Sequence, residues 1–186
     1  MLQEPKVIER AEVCRGRRFS LERVTVDVNG RVRILDSFRH PGAVAIVAVD
    51  GGKVLLERQY RPVVEEWVYE LPAGTIEPGE PPERTAVREL AEETGYEPGR
   101  VELLGWFYTS PGVSTEKLYV YEALDLREVG RRLEGDEVIE AEWVPLNEVV
   151  DMVRRGEIRD AKTLAGLLLY LVKYGLVNIV KASGES

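Results

Sequence analysis

Residues 74–96 constrain this chain more than any other stretch, because they set a helix between two fixed stops. Pro81-Pro82 opens it, since the first helical positions need no amide donor, and Gly95 suits the left-handed residue just past its end. The spacing therefore predicts a helix over 82–94. At about 100° per residue, Ala86, Val87, Leu90, Ala91 and Thr94 share one broad face, and Glu89, Glu92 and Glu93 share the opposite one. One side packs and the other gathers three carboxylates. Glu89 and Glu93 stand at i,i+4, where like charges are mildly destabilising, and Glu92 adds a third anion beside them. A cation belongs there. Hard divalent ions such as Mg2+ take oxygen ligands, commonly one or two carboxylates together with water and substrate phosphates. The plain competitor is a solvated acidic face.

The loop before the helix, Gly74-Thr75-Ile76-Glu77-Pro78-Gly79-Glu80, argues against that competitor, because its glycines let backbone approach a phosphate or metal closely. Gly74, five residues, Glu80, seven residues, then Arg88-Glu89-Leu90-Ala91-Glu92-Glu93-Thr94-Gly95-Tyr96 resembles the full signature box of the Nudix hydrolase family. A match this long at fixed spacing is specific in a way that a lone glycine motif is not. Glu70-Leu71-Pro72-Ala73-Gly74 ahead of the box resembles the ADP-ribose pyrophosphatase branch, as does Pro111, sixteen residues beyond Gly95 in Ser110-Pro111-Gly112-Val113-Ser114. The resemblance runs from about residue 40 to residue 170.

Around this box the chain reads as α/β. Residues 18–28 and 31–35 are rich in alternating and β-branched types and flank Asn29-Gly30, a two-residue hairpin turn; 43–49 and 54–58 flank Asp50-Gly51-Gly52 in the same way. Further strands are expected at 67–71, 101–107, 118–121 and 138–144. A helix over 146–155 stops at Gly156, and Asp160 caps a last helix that runs to about Tyr174, is apolar on most faces and is expected to be buried. The resemblance implies a Nudix-type α/β/α sandwich around a mixed sheet. A strand-rich lobe over 1–40 precedes the hydrolase domain at 41–186. That lobe is similar to the segment that related enzymes exchange across a dimer, and exposed hairpin edges favour such pairing, so a homodimer is expected.

Thirty-three acidic against 25 basic residues give a formal net charge of -8, which disfavours nucleic-acid backbone and anionic membrane as partners. A polyanionic substrate then needs metal help. The one cysteine, Cys14, forms no internal disulfide and is expected to be buried or half-buried. The first residues lack the basic start and apolar run of a signal peptide, and 164–172 is too short to span a bilayer, so a cytoplasmic location is expected.

The resemblance implies hydrolysis of ADP-ribose, a nucleotide sugar, to AMP and ribose 5-phosphate with two or more Mg2+ ions, or Mn2+ in their place. Glu89, Glu93 and the backbone carbonyl of Ala73 would ligate metal, and Glu92 would ligate or orient bound water. Arg88, four residues before Glu92, supports the cluster structurally. Glu80 either orients the loop or a ligand, or favours the helix N-terminus. Related enzymes place a catalytic glutamate on a loop before a late strand; here that loop holds Glu134, Asp136 and Glu137, with Glu137 the choice for base because it lies closest to the strand. Arg61 is either a phosphate clamp or one half of a surface ion pair. Ser110, Pro111 and Gly112 would line the terminal-ribose side, and Glu70 would hydrogen-bond a hydroxyl or the adenine. His40 precedes Pro41 at the start of a strand and is assigned a turn or packing role. Two alternatives remain: a pyrophosphatase for another nucleoside diphosphate sugar, and a Nudix module that binds a nucleotide without cleaving it.

Overall fold

The chain opens with a three-stranded antiparallel meander, β1 (Lys6–Arg15), β2 (Ser20–Val28) and β3 (Arg31–Arg39). Asn29 and Gly30 both take positive φ, 54° and 79°, as the tight hairpin turn requires, and Asp27 Oδ1 accepts the Gly30 amide at 2.7 Å. A computed structural model of the protein describes residues 4–131 and 138–177. The expected hairpin is present, but β1 was not anticipated. All ten of its residues are exposed, so no apolar face marks it in the sequence. Cys14 lies on this strand and is exposed, contrary to expectation.

The remaining strands form a seven-stranded mixed sheet. These are β4 (Ala43–Asp50), β5 (Lys53–Arg61), β6 (Glu66–Glu70), β7 (Ala73–Thr75), β8 (Tyr96–Tyr108), β9 (Lys117–Glu128) and β10 (Ile139–Pro145). β4 lies parallel to β9 and is buried on both faces over its first six residues, as a continuous apolar run in a central strand should be. β4 and β5 pair beside their turn, at Val49↔Val54 and Asp50↔Lys53, and then part. Past that point β4 takes β7 as its neighbour and β5 takes β6. The chain crosses from one to the other through Leu71-Pro72, and the fork it leaves is where the cleft described below opens.

Alternation along β4 feeds two cores. Val44, Ile46 and Ala48 pack with Leu55, Tyr121 and with Ala86 and Leu90 of α1 (Pro82–Thr94). Ala43, Ala45 and Val47 pack on the other side with Val149 and Met152 of α2 (Leu146–Arg154) and Leu167 and Tyr170 of α3 (Ala161–Lys173). This is the expected α/β/α sandwich. α1 has the predicted bounds: Gly95, at φ 80°, donates its amide to the Ala91 carbonyl at 3.0 Å and ends the helix. Asp160 caps α3 by accepting from the Thr163 amide at 2.9 Å.

Two expectations about faces are corrected. α3 is not buried on most sides, since Leu164, Leu168 and Val172 form an exposed row. On α1 the split into one packing face and one carboxylate face is incomplete: Glu93 is buried at 5% exposure, while Val87 and Ala91 are only half-buried. Among the described residues no helix is long and apolar enough to cross a membrane.

Candidate active site

Helix α1 runs back past the short strand β7, and this crossing builds the site. Glu93 Oε2 accepts the backbone amide of Ala73 at 3.0 Å. Glu89 lies against the backbone of Gly74 so closely that a Cβ there would stand 1.9 Å from its carboxyl carbon. Gly74 is thus a glycine for want of space, a reason distinct from the backbone freedom that Gly95 supplies.

Arg88 organises the rest. Its Nη1 donates to Glu89 Oε1 at 2.8 Å and to Glu92 Oε2 at 3.1 Å, while Nε and Nη2 form a fork onto Glu80 at 3.1 and 3.0 Å. Glu80 also accepts from Thr85 Oγ1 at 2.8 Å. The hydrogen bond from Arg88 holds the Glu80 carboxyl below the usual carboxylate range, and the same bond raises Arg88 above its ordinary value. Through this fork Glu80 aims Arg88 between the helix carboxylates.

Among the described residues no three acidic, histidine or cysteine side chains converge on one ligating point. Glu89 and Glu92 turn to Arg88, and Glu93 turns to Ala73. The donor set nevertheless fits a hard divalent cation, because three carboxylates and a backbone segment meet in one cleft, with the gap at Gly74 leaving Glu89 room beside the strand. Glu89, Glu92, Glu93 and the Ala73 carbonyl are the groups that would hold it.

The cleft has a volume of about 410 Å³ and is lined by 73–78, Arg88, Glu89, Glu92, Glu93, Pro41, Arg61, Arg17 and Arg18. Arg17 and Arg18 come from the β1–β2 turn and were not anticipated. A second cavity of about 500 Å³ shares them and adds Arg15 and Arg39, so the cleft is cationic on this side although the chain is acidic. The signal available in the sequence was the cluster Arg15-Gly16-Arg17-Arg18 ahead of a strand.

Arg61 reaches the cleft wall but is committed elsewhere as well. Its Nε and Nη2 form a two-bond fork onto Glu70, both at 2.7 Å, and Lys162 Nζ bonds the same carboxylate. The Glu70 side chain is 4% exposed. Burial pushes its carboxyl up, but the Arg61 hydrogen bond and Lys162 outweigh that and leave it below the ordinary value. Arg61 is therefore an ion-pair partner and a cleft residue at once. Glu70 presents its oxygens to Arg61 and Lys162 in this structure rather than to the open cleft.

Ser110, Pro111 and Gly112 stand apart from the cleft-lining residues. They form an exposed turn, with the Val113 and Ser114 amides donating to the Ser110 carbonyl at 3.0 and 2.9 Å, and the turn docks on β3 through Phe38. His40 Nδ1 accepts the Gly42 amide at 3.1 Å, in keeping with a turn role. Glu134, Asp136 and Glu137 lie outside the described residues.

A family model described as NUDIX domain matches residues 38–167. The chain is 38% identical over 177 residues to the ADP-ribose pyrophosphatase of Bacillus subtilis (strain 168), spanning 93% of this chain and 96% of that one. It is 40% identical over 158 residues to the ADP-ribose pyrophosphatase of Mycobacterium tuberculosis, spanning 82% and 76%. A solved structure titled as an ADP compounds hydrolase superposes with a TM-score of 0.82 at 26% identity, over 95% of this chain and 99% of that one.

Proposed function

The chain belongs to the Nudix hydrolase family, and from that premise we propose that it cleaves the pyrophosphate of ADP-ribose with water, releasing AMP and ribose 5-phosphate. The observation that carries this reading is the seating of Glu89 on Gly74 beside Glu92 and Glu93, which gathers oxygen donors at the floor of a cleft with arginines on its wall. Mg2+ is the proposed ion, two or more per site and replaceable by Mn2+, held by Glu89, Glu92, Glu93 and the Ala73 carbonyl. Such ions screen phosphoryl charge and make a bound water more acidic.

The protein's own groups do the rest. Arg17, Arg18 and Arg61 draw the doubly anionic pyrophosphate toward the carboxylate floor, which would repel it unaided. Arg88, aimed by Glu80, holds Glu89 and Glu92 apart from the packing face and carries no contact to substrate. Glu137 is the proposed base for the attacking water, with Asp136 and Glu134 as its competitors, and Glu92 orients that water. Glu70 keeps Arg61 extended toward the cleft, so its part in substrate binding is proposed as indirect. Ser110, Pro111 and Gly112 are proposed to meet the terminal ribose.

A homodimer is also proposed. Support comes from the three-stranded sheet, which leaves Val7, Ile8, Val13, Val32 and Ile34 exposed, a set that a second copy would cover. Sedimentation would report it directly.

The deciding experiment measures AMP release from ADP-ribose with and without Mg2+, beside a panel of other nucleoside diphosphate sugars, with Glu93→Gln as control. Best turnover of ADP-ribose and a dead control uphold the reading. Faster turnover of another sugar would move the substrate within the family, and binding without cleavage would mark a sensing module.

A further inference from the structure

α1 ends Glu92-Glu93-Thr94, and no basic residue stands in its last turn. Acidic side chains at a helix C-terminus oppose the helix dipole, and the last carbonyls there lack helical partners. The sequence around the helix supplies no remedy. The structure brings one from 38 residues away: Arg131 Nε donates to the Glu93 carbonyl oxygen, and its Nη2 donates to the Ile139 carbonyl at 2.7 Å.

The neighbouring backbone follows the same path. The Val129 amide donates to the Gly95 carbonyl at 2.8 Å, and a Cβ on Gly95 would come within 2.9 Å of the Arg131 amide nitrogen. On β5, Glu57 is 2% exposed, and among the described residues its Oε1 has no hydrogen-bond partner. Arg131 is the strongest attractive charge acting on that carboxyl, which burial pushes up to about 8. One guanidinium thus joins the end of the carboxylate helix to the start of β10, and its charge acts on a buried acid.

We infer that Arg131 is the positioning residue of the carboxylate helix, fixing the turn that presents Glu92 and Glu93 without touching the substrate. It bonds the backbone carbonyl of Glu93, so the last turn gains its cation through the main chain. A guanidinium suits this task because it bonds two carbonyls at once in a fixed plane, which an ammonium does less well.

The inference rests on the metal-binding reading of Glu89, Glu92 and Glu93, and the test separates the two. Binding of Mn2+ alone to the full chain is measured by calorimetry for the wild type, Arg131→Met and Arg131→Lys. Amide exchange at Thr94 and Gly95, and KM for ADP-ribose at saturating metal, are followed in parallel. Arg131→Met keeps the aliphatic stem, and its Mn2+ affinity is expected to fall about tenfold, as for other residues that orient ligands. Exchange at Gly95 quickens, KM stays within about twofold, and Arg131→Lys recovers part of the affinity. Equal Mn2+ affinity in all three proteins would overturn the inference while leaving the metal reading intact. A raised KM with unchanged affinity would overturn it by showing a substrate contact. A wild type that does not bind Mn2+ would instead remove the metal reading beneath it. Should Arg131→Met fail to fold, Arg131→Lys carries the same comparison.

Discussion

Glu57 and Glu70 stand directly opposite each other on β5 and β6, yet their carboxyls are driven in opposite directions. Burial pushes Glu57 up to about 8, with Glu70 adding to the push and Arg131, Lys162 and Arg61 pulling against it. For Glu70 burial also pushes up, but the fork from Arg61 and the charge of Lys162 prevail and hold it below the ordinary range. Two acids in one cross-strand pair thus differ because the direct hydrogen bonds go to one of them.

A pH dependence follows with a definite sign. The folded chain keeps a proton on Glu57 that the unfolded chain releases near the ordinary value of 4.5. The stability that this proton contributes is complete below that value and is lost as pH rises toward 8. Glu70 acts in reverse, its contribution being present above the ordinary value and lost as pH falls through the depressed one. Glu57→Gln removes the first effect and spares the second. Its stability relative to the wild type should rise between pH 5 and pH 8, at a slope of at most about 1.4 kcal/mol per pH unit, and the two proteins should differ little near pH 4.5. Urea midpoints at pH 5, 6.5 and 8 measure this, and a difference that stays flat would refute it.

Arg61→Lys separates its two duties. The fork onto Glu70 needs two parallel donors, which lysine lacks, whereas the positive charge at the cleft wall survives. Lys162 remains on Glu70, so the loss is partial. A stability decrease of about 1–2 kcal/mol is expected, with KM for ADP-ribose rising only a few-fold. A large rise in KM at constant melting temperature would show that phosphate contact is the main duty of Arg61.

Glu80→Ala tests the aim of Arg88. Without its two bonds from Glu80, the guanidinium is left to Glu89 and Glu92 and competes harder with any cation for their oxygens. Half-saturation by Mg2+ should shift upward by about tenfold. Stability should fall by about 1–2 kcal/mol, because the fork is bidentate and its two side chains are only 27% and 18% exposed. Activity at saturating Mg2+ should recover; failure to recover would assign Glu80 a part in the reaction itself.

What the sequence made legible was local. The bounds of α1 were readable because Pro82 and Gly95 act on their own backbone, and the hairpin at Asn29-Gly30 for the same reason. β4 declared itself by an unbroken apolar run. β1 could not, since its partner is β2 and its own side chains face solvent. The split of α1 into faces misplaced Glu93, because helical angles alone cannot say that β7 and the Ala73 amide lie over that position. Arg17, Arg18 and Arg131 were missed for a shared reason: each acts on a site formed by a distant stretch, and even the visible cluster Arg15-Gly16-Arg17-Arg18 does not say which cleft it faces. Glu57 was read as part of an ordinary strand, and only the register against Glu70 exposes it as a buried acid.

Gly74→Ala draws the distinction between packing and function most sharply. The added Cβ would stand 1.9 Å from both the carboxyl carbon and Oε1 of Glu89, and 2.3 Å from its Cγ. All three atoms belong to the far part of a flexible side chain, so the clash is relieved when Glu89 swings out and the strand need not move. The fold should therefore lose little, on the order of 1 kcal/mol, near the low end of overpacking costs. The carboxylate, by contrast, loses its seat beside Glu92 and Glu93. Mn2+ binding to the metal-free protein should weaken by about 10- to 100-fold, and hydrolysis of ADP-ribose should fall with it at limiting metal. Calorimetry and a thermal melt on the same sample decide the matter. Weak binding with a near-native melt places the need for glycine in the site; a collapsed melt with binding lost in proportion would place it in the strand, and Glu89 would lose its claim as a ligand held by design of the backbone.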